Sequence, residues 1–363
     1  MSTDSVSGAA TGAPRPRVAL VGAGLVGSGW AIVFARAGHE VALYDAEPLQ
    51  RQRALEWVSR QLADLEAQRL IAESPATIAA RVRAASSLPE ALAGARYVQE
   101  SIVERLDVKQ RLYAEMDAAA APDAILASST SAFPTSAIAA GLAGRARCIV
   151  AHPVNPPYLV PLVEVSGAPF TAARTVEQTL ALMRAVGQSP IHVRREIHGF
   201  VLNRLQWTLL AEACRLVADG VASVDDVDAA IRDGLGRRWA FLGPFEVGDL
   251  NAPGGLADYL ERFAPTIEQI NAPAADGPFK LEAAQIAALH EARRALLPEP
   301  QRAARTAWRD RRLMALTRHL ADAATATETS AETATATAAA TVAATTTAPT
   351  LQIATGEMKP VGR

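Results

Sequence analysis

Over the first two hundred residues, apolar and polar positions alternate in blocks of changing period. Val18–Val21 is a short apolar run ending in glycine, and the positions from Leu25 to Ala37 follow with helical spacing as far as Gly38, a residue suited to stopping a helix. Val41–Tyr44 is a second apolar run, and a long charged stretch from Pro48 to about Leu70 again has helical spacing. Tyr97–Gln99, Ala124–Ala127 and Cys148–Ala151 are further strand candidates, with Leu162–Val165 and Ile191–Val193 as later ones. Short apolar strands separated by amphipathic helices predict an α/β fold: a Rossmann-type, doubly wound parallel sheet with helices on both faces.

Beyond Gly199 the strand signals stop. Phe200–Asp219, Val224–Gly234 and 281–320 read as helices, and Ser223 followed by Asp225 and Asp226 is a helix-start signal. The pattern predicts a boundary near residue 198, with a sheet domain over 17–198 and an all-helical C-terminal domain over 199–320. Residues 1–16, rich in Ser, Gly, Ala and Pro, read as a disordered leader. Residues 321–363 read as a disordered Ala/Thr-rich tail, because the β-branched threonines oppose a helix and no apolar stripe could dock one.

Composition narrows the function. The chain has 363 residues, 50% hydrophobic and 20% charged, with a formal net charge of −2. That is ordinary for a globular protein, and the absence of a basic block argues against a nucleic-acid partner. Cys148 and Cys214 make neither a disulfide framework nor a zinc site, which fits a reducing, cytoplasmic compartment. The N-terminus has no secretory pattern, and no apolar stretch is long enough to span a membrane.

The first strand candidate runs into Gly22, Ala23, Gly24, Leu25, Val26 and Gly27, a GxGxxG loop opening a helix. Gly22 permits the tight turn, Gly24 lets backbone approach a pyrophosphate, and Gly27 allows close packing of helix on strand. The free N–H groups of the helix start would face the phosphates. Asp45, at the end of the next apolar run, is placed to accept hydrogen bonds from ribose hydroxyls. No basic residue directly follows it, so NAD is expected rather than NADP.

Chemistry concentrates further on. His152 closes an apolar run and precedes a Pro-rich segment. An imidazole at a strand end suits the general base of a hydroxyl oxidation. Glu164 stands isolated in an apolar strand, where a carboxylate needs a partner, and His152 is an available one. Spacing alone does not show that the two meet. Cys148, within an apolar run, reads as a core thiol.

From about Arg17 to Phe263 the chain resembles the L-3-hydroxyacyl-CoA dehydrogenase family. The resemblance is carried by the Gly22–Gly27 loop, Glu100–Glu104 with Lys109, Ser128–Ser131, the His152 and Glu164 segments, His198–Arg204 and Gly234–Arg238. Ala151–Tyr158, Gly199–Gln206 and Ala240–Pro244 look closest to its lambda-crystallin, or L-gulonate 3-dehydrogenase, branch. The resemblance implies that His152 takes the hydroxyl proton and that Glu164 holds and balances it. It implies that Ser131 and Asn203 bond the reacting oxygen or the imidazole region, and that Glu104 and Lys109 approach the nicotinamide ribose. A homodimer formed through the helical domain is implied as well.

Two substrate classes follow. A small 3-hydroxy acid such as L-gulonate needs a cation for its carboxylate, and Arg238 stands in the matching segment, with Arg237 beside it. An L-3-hydroxyacyl-CoA would want a basic surface for its phosphates. Arg51, Arg53, Arg60 and Arg69 are offset by Glu56, Asp64, Glu66 and Glu73, so the small acid is preferred. A carnitine-like substrate would call for an extra acidic group. A non-catalytic, crystallin-like protein is the reading from another class, and the retention of His152, Glu164 and Asp45 argues against it.

Overall fold

In a computed structural model, the structure describes residues 15–271, 283–320 and 322. Nearly all of the leader and tail expected from the sequence therefore lie outside the described residues. The first half alternates strand and helix: β1 Arg17–Val21, α1 Leu25–Arg36, β2 Val41–Tyr44, α2 Pro48–Ala67, α3 Pro75–Ala79, β3 Val82–Ala84, α4 Leu88–Leu92 and β4 Ala95–Glu100. There follow α5 Leu106–Ala119, β5 Ile125–Ser128, α6 Thr135–Ala139, β6 Cys148–Pro153, β7 Leu162–Ser166, α7 Ala173–Ala185 and β8 Ser189–His192.

The eight strands form one sheet in the order β3-β2-β1-β4-β5-β6-β7-β8. Chain order reverses between β1 and β4, which creates the crevice where open α/β sheets bind ligands. The sheet is not wholly parallel. β7 runs antiparallel to β6, because the connection 154–161 is too short for a helical crossover, which needs about a dozen residues or more. β3 carries little apolar signal: only Val82 of its three residues is buried. Helices cover both faces, with Trp30, Phe34, Leu62 and Leu65 in one cluster and Tyr113, Met116 and Leu126 in the other.

The helical C-terminal domain begins with α8 Leu202–Ala218 and continues through α9 Val224–Ala229, a π-helical turn over Ala230–Leu235, α10 Gly236–Trp239, α11 Pro244–Leu250, α12 Gly255–Ile270 and α13 Ala283–Leu296. The helix expected over Val224–Gly234 thus widens into a π-turn halfway. α11 and α12 were hidden in the sequence by Gly254, Gly255 and Pro265. A last helix, α14 over 302–320, returns to the sheet domain and buries Met314 in the core beside α2 residues, with Leu313 packed against it. Among the described residues, no helix is long and apolar enough to cross a membrane.

Candidate active site

The glycine loop sits at the C-terminal end of β1. Gly22 has φ +105°, and a Cβ there would meet the Ser101 carbonyl oxygen at 2.5 Å. The helix start presses so closely on the turn that a Cβ on Gly27 would meet the Gly22 carbonyl. At Gly24 nothing lies within 4 Å of a built Cβ, so its backbone faces open space that a phosphate could enter. A cavity of ≈ 630 Å³ opens beside it, lined by Gly22, Gly24, Asp45, Leu88, Ile102 and Leu112 among others. The half-buried Asp45 accepts from the Ala23 N–H at 2.8 Å and the Glu47 N–H at 3.0 Å, which aims its carboxylate at this cavity's wall. An adenosine-sized volume, a bare glycine turn and a positioned carboxylate fit a dinucleotide. Arg51, weighed in the sequence only as one of four arginines offset by acids, donates to the Asp45 carbonyl at 2.7 Å with its guanidinium over the Tyr44 ring.

On the other side of the topological switch, the ends of β4, β5 and β6 carry the remaining candidates. Glu100, the last residue of β4, is fully buried. It accepts from Lys109 Nζ (2.8 Å), the Ser128 hydroxyl (2.6 Å) and the Ile102 N–H (2.7 Å). Lys109 is 1% exposed and also pairs with Glu104 at 3.2 Å. Glu104 accepts from the Thr130 hydroxyl (2.5 Å) and the N–H groups of Ser131 (2.9 Å) and Ala132 (3.1 Å). Burial raises the Glu104 carboxyl, but the Thr130 hydroxyl, the Lys109 charge and the Ser131 N–H outweigh it and hold it below the usual carboxylate range. Lys109 therefore lies beneath Glu104 rather than on the cleft surface. Glu100 was named in the sequence only as part of a matching segment, and its role as the buried partner of Lys109 was not legible there.

His152 and Glu164 do meet, and the antiparallel pairing of β6 with β7 is the reason: they are direct cross-strand partners. His152 Nδ1 lies 2.8 Å from Glu164 Oε2, with His152 7% and Glu164 0% exposed. The other carboxylate oxygen accepts from the Val201 and Leu202 N–H groups at 2.8 and 2.9 Å, where α8 begins. A carboxylate at a helix start satisfies donors that otherwise lack partners and meets the positive end of the helix dipole. Phe200, expected from the sequence as the first residue of a helix, instead precedes α8, is buried with φ +48° and lays its ring 5.6 Å from the imidazole.

Asn203, one residue into α8, donates from Nδ2 to the Ser131 carbonyl at 3.3 Å. The cofactor side and the imidazole side are therefore joined: Lys109 to Glu104, Glu104 to Ser131, Ser131 to Asn203 and the α8 start, and the α8 start through Glu164 to His152. Arg238 is not brought to this group. It stands exposed in α10, and its guanidinium makes no hydrogen bond or ion pair with any described residue. Cys148, the first residue of β6, is buried, and burial pushes its thiol up to about 12.

Comparison with known proteins agrees with this architecture. Residues 17–197 match the family model of the 3-hydroxyacyl-CoA dehydrogenase NAD binding domain, and residues 199–276 match that of its C-terminal domain. A lambda-crystallin homolog of Bos taurus is 44% identical over 82% of this chain and 94% of its own length. An L-carnitine dehydrogenase of Streptomyces coelicolor is 41% identical over 69% of this chain and 79% of its own. Among solved structures, the NAD+-dependent dismutase 5-formyl-3-hydroxy-2-methylpyridine-4-carboxylic acid 5-dehydrogenase aligns with a TM-score of 0.72 and 29% identity, covering 84% of this chain and 98% of that one.

Proposed function

The chain belongs to the 3-hydroxyacyl-CoA dehydrogenase family and is an NAD-dependent hydroxy-acid dehydrogenase, and from that premise we propose that it oxidises the 3-hydroxyl of a small free carboxylic acid, in the manner of an L-gulonate 3-dehydrogenase. The observation that carries the catalytic part is the 2.8 Å contact between His152 Nδ1 and Glu164. A carboxylate on Nδ1 fixes the tautomer with its proton there and leaves the Nε2 lone pair for a substrate hydroxyl. His152 then takes the hydroxyl proton, and Glu164, itself held by the α8 start, balances the imidazolium.

NAD, when bound, supplies the hydride acceptor. The sheet domain, 17–198, holds it: Gly22, Gly24, Leu25, Val26 and Gly27 receive the pyrophosphate, Asp45 takes the adenosine ribose, and Glu104 faces the nicotinamide ribose with Lys109 supporting it from below. Ser131 and Asn203, which are already bonded to each other, flank the reacting oxygen. The helical domain, 199–320, closes the cleft and joins two copies. Arg238 is assigned to the substrate carboxylate, because a guanidinium with no partner among the described residues suits bidentate pairing with one.

The small acid is favoured over the thioester by the charge balance of α2. Relatives include dehydrogenases named for a pyridine carboxylic acid and for L-carnitine, both small molecules. The test is NADH formation by the purified chain with L-gulonate, L-3-hydroxybutyrate, L-carnitine and L-3-hydroxybutyryl-CoA in parallel. Turnover of one or more free acids without the thioester is the expected outcome. Turnover of the thioester alone would overturn the assignment and leave Arg238 without a role.

A further inference from the structure

The cluster behind the β4 and β5 ends carries a fixed charge that the catalytic reading does not use. Glu100 and Glu104 share one ammonium, that of Lys109, so the group holds two negative charges and one positive. Glu104's other donors are neutral: a hydroxyl and two peptide N–H groups. Of the nearby cations, Arg105 and Arg111 share the single carboxylate of Asp107, and the positive charge left on that trio sits on side chains 52–70% exposed, where solvent and salt screen it far more than the buried pair. Glu164 adds a further carboxylate across the site, with peptide N–H groups and an imidazole as its partners. Burial of Glu100 and Lys109 keeps solvent from screening the inner half of the cluster.

This excess lies where one half of a dinucleotide must go. The glycine loop after β1 and Asp45 after β2 claim the adenosine half, and the sheet order leaves the ends of β4 and β5 for the nicotinamide half. Glu100 ends β4, Ser128 ends β5, and Glu104 clamps the loop after β5. The nicotinamide ring is a cation when oxidised and neutral when reduced, while the rest of the dinucleotide is unchanged. A negative potential at the ring therefore acts directly on the ratio of the two affinities.

We propose that the Glu100–Lys109–Glu104 cluster makes the site selective for oxidised over reduced cofactor, so that the protein loads NAD+ and sheds NADH and works as an oxidant of its hydroxy acid. The inference rests on the cofactor placement proposed above. Glu104 is the residue through which the charge reaches the ring. It stays ionised at physiological pH because its donors hold it below the usual carboxylate range.

The experiment measures two dissociation constants on the full chain without substrate: NADH by fluorescence titration and NAD+ by competition against it. In Glu104→Gln, which keeps an oxygen for the Thr130 hydroxyl, the ratio Kd(NAD+)/Kd(NADH) should rise on the order of tenfold, an estimate reduced for solvent at a residue that is 37% exposed. Glu104→Asp should return the ratio to near that of the unaltered protein. Glu100→Gln, an independent route to the same loss of charge, should move the ratio in the same direction. Equal weakening of both forms would show that Glu104 only positions the loop and would overturn the proposal, as would an unchanged ratio. If the unaltered protein bound neither form, the cofactor placement itself would fall, which is a distinguishable result.

Discussion

At the scale of single residues, the site is a set of side chains each fixed by more than one partner. Glu164 accepts three hydrogen bonds and is fully buried, so it cannot turn away from His152 without stranding the α8 donors. His152 in turn has its Nδ1 committed and its ring packed on Phe200, which leaves Nε2 as its working atom. If His152 is the base, His152→Gln should lower kcat by about 10²–10⁴-fold, the usual worth of a general base, with NADH affinity near normal. Steady-state kinetics beside a fluorescence titration checks this, and turnover close to that of the unaltered protein would remove His152 from the mechanism. His152 and Glu164 were both visible in the sequence as polar residues out of place in apolar runs. Their meeting was not visible, because it depends on β7 turning back on β6. Phe200 and Glu100 were named only as parts of longer segments, and their place at the site was not visible, for different reasons. A Phe with positive φ leaves no trace in composition, and Glu100 looked like one acid among several.

At the scale of elements, local rules account for most of what was legible and for what was lost. β1, α1 and β2 have strong period changes and a glycine turn between them, and they fall within a residue or two of the pattern. β3 and the helices α11 and α12 are short, polar or broken by Gly and Pro, so their formation depends on contacts with neighbours that no local window contains. The α1–β1 junction makes the strongest element-level prediction. A methyl on Gly27 would run into the Gly22 carbonyl, which is backbone and cannot swing aside. Gly27→Ala should therefore push the α1 start off the turn, displacing the N–H groups meant for the pyrophosphate. Overpacking of this kind typically costs about 1–3 kcal/mol. The expected result is a lowered Tm together with NAD affinity reduced by at least tenfold, read by calorimetry and titration. Unchanged affinity would mean that the loop does not hold phosphate.

At the scale of the whole molecule, the two halves differ in how well each satisfies itself. The sheet domain buries long runs of apolar residues on both faces, down to 0% exposure for Val18, Leu20, Ile32 and Phe34. The helical domain instead leaves apolar side chains facing outward. On α12, Leu260, Phe263, Ile267 and Ile270 are 43–67% exposed and follow a three-four-three spacing, which puts them on one stripe of the helix. Leu205, Trp207 and Leu210 on α8 are also exposed, as are Phe241 just after α10 and Phe245 within α11. An exposed apolar stripe such as that of α12 marks an interface. The homodimer proposed from the sequence supplies a second copy of the same stripe, and a two-fold contact is self-complementary, so each stripe can cover the other. Two acids placed on that stripe, in Phe263→Asp combined with Ile267→Asp, would have to be desolvated at a dimer contact but would simply be hydrated on a free surface. Light scattering behind size exclusion should give twice the chain mass for the unaltered protein and a single chain mass for the double variant. Circular dichroism should confirm that the sheet domain is still folded. A dimer that survives the double substitution would place the contact elsewhere, with the outward face of α8 as the next surface to change.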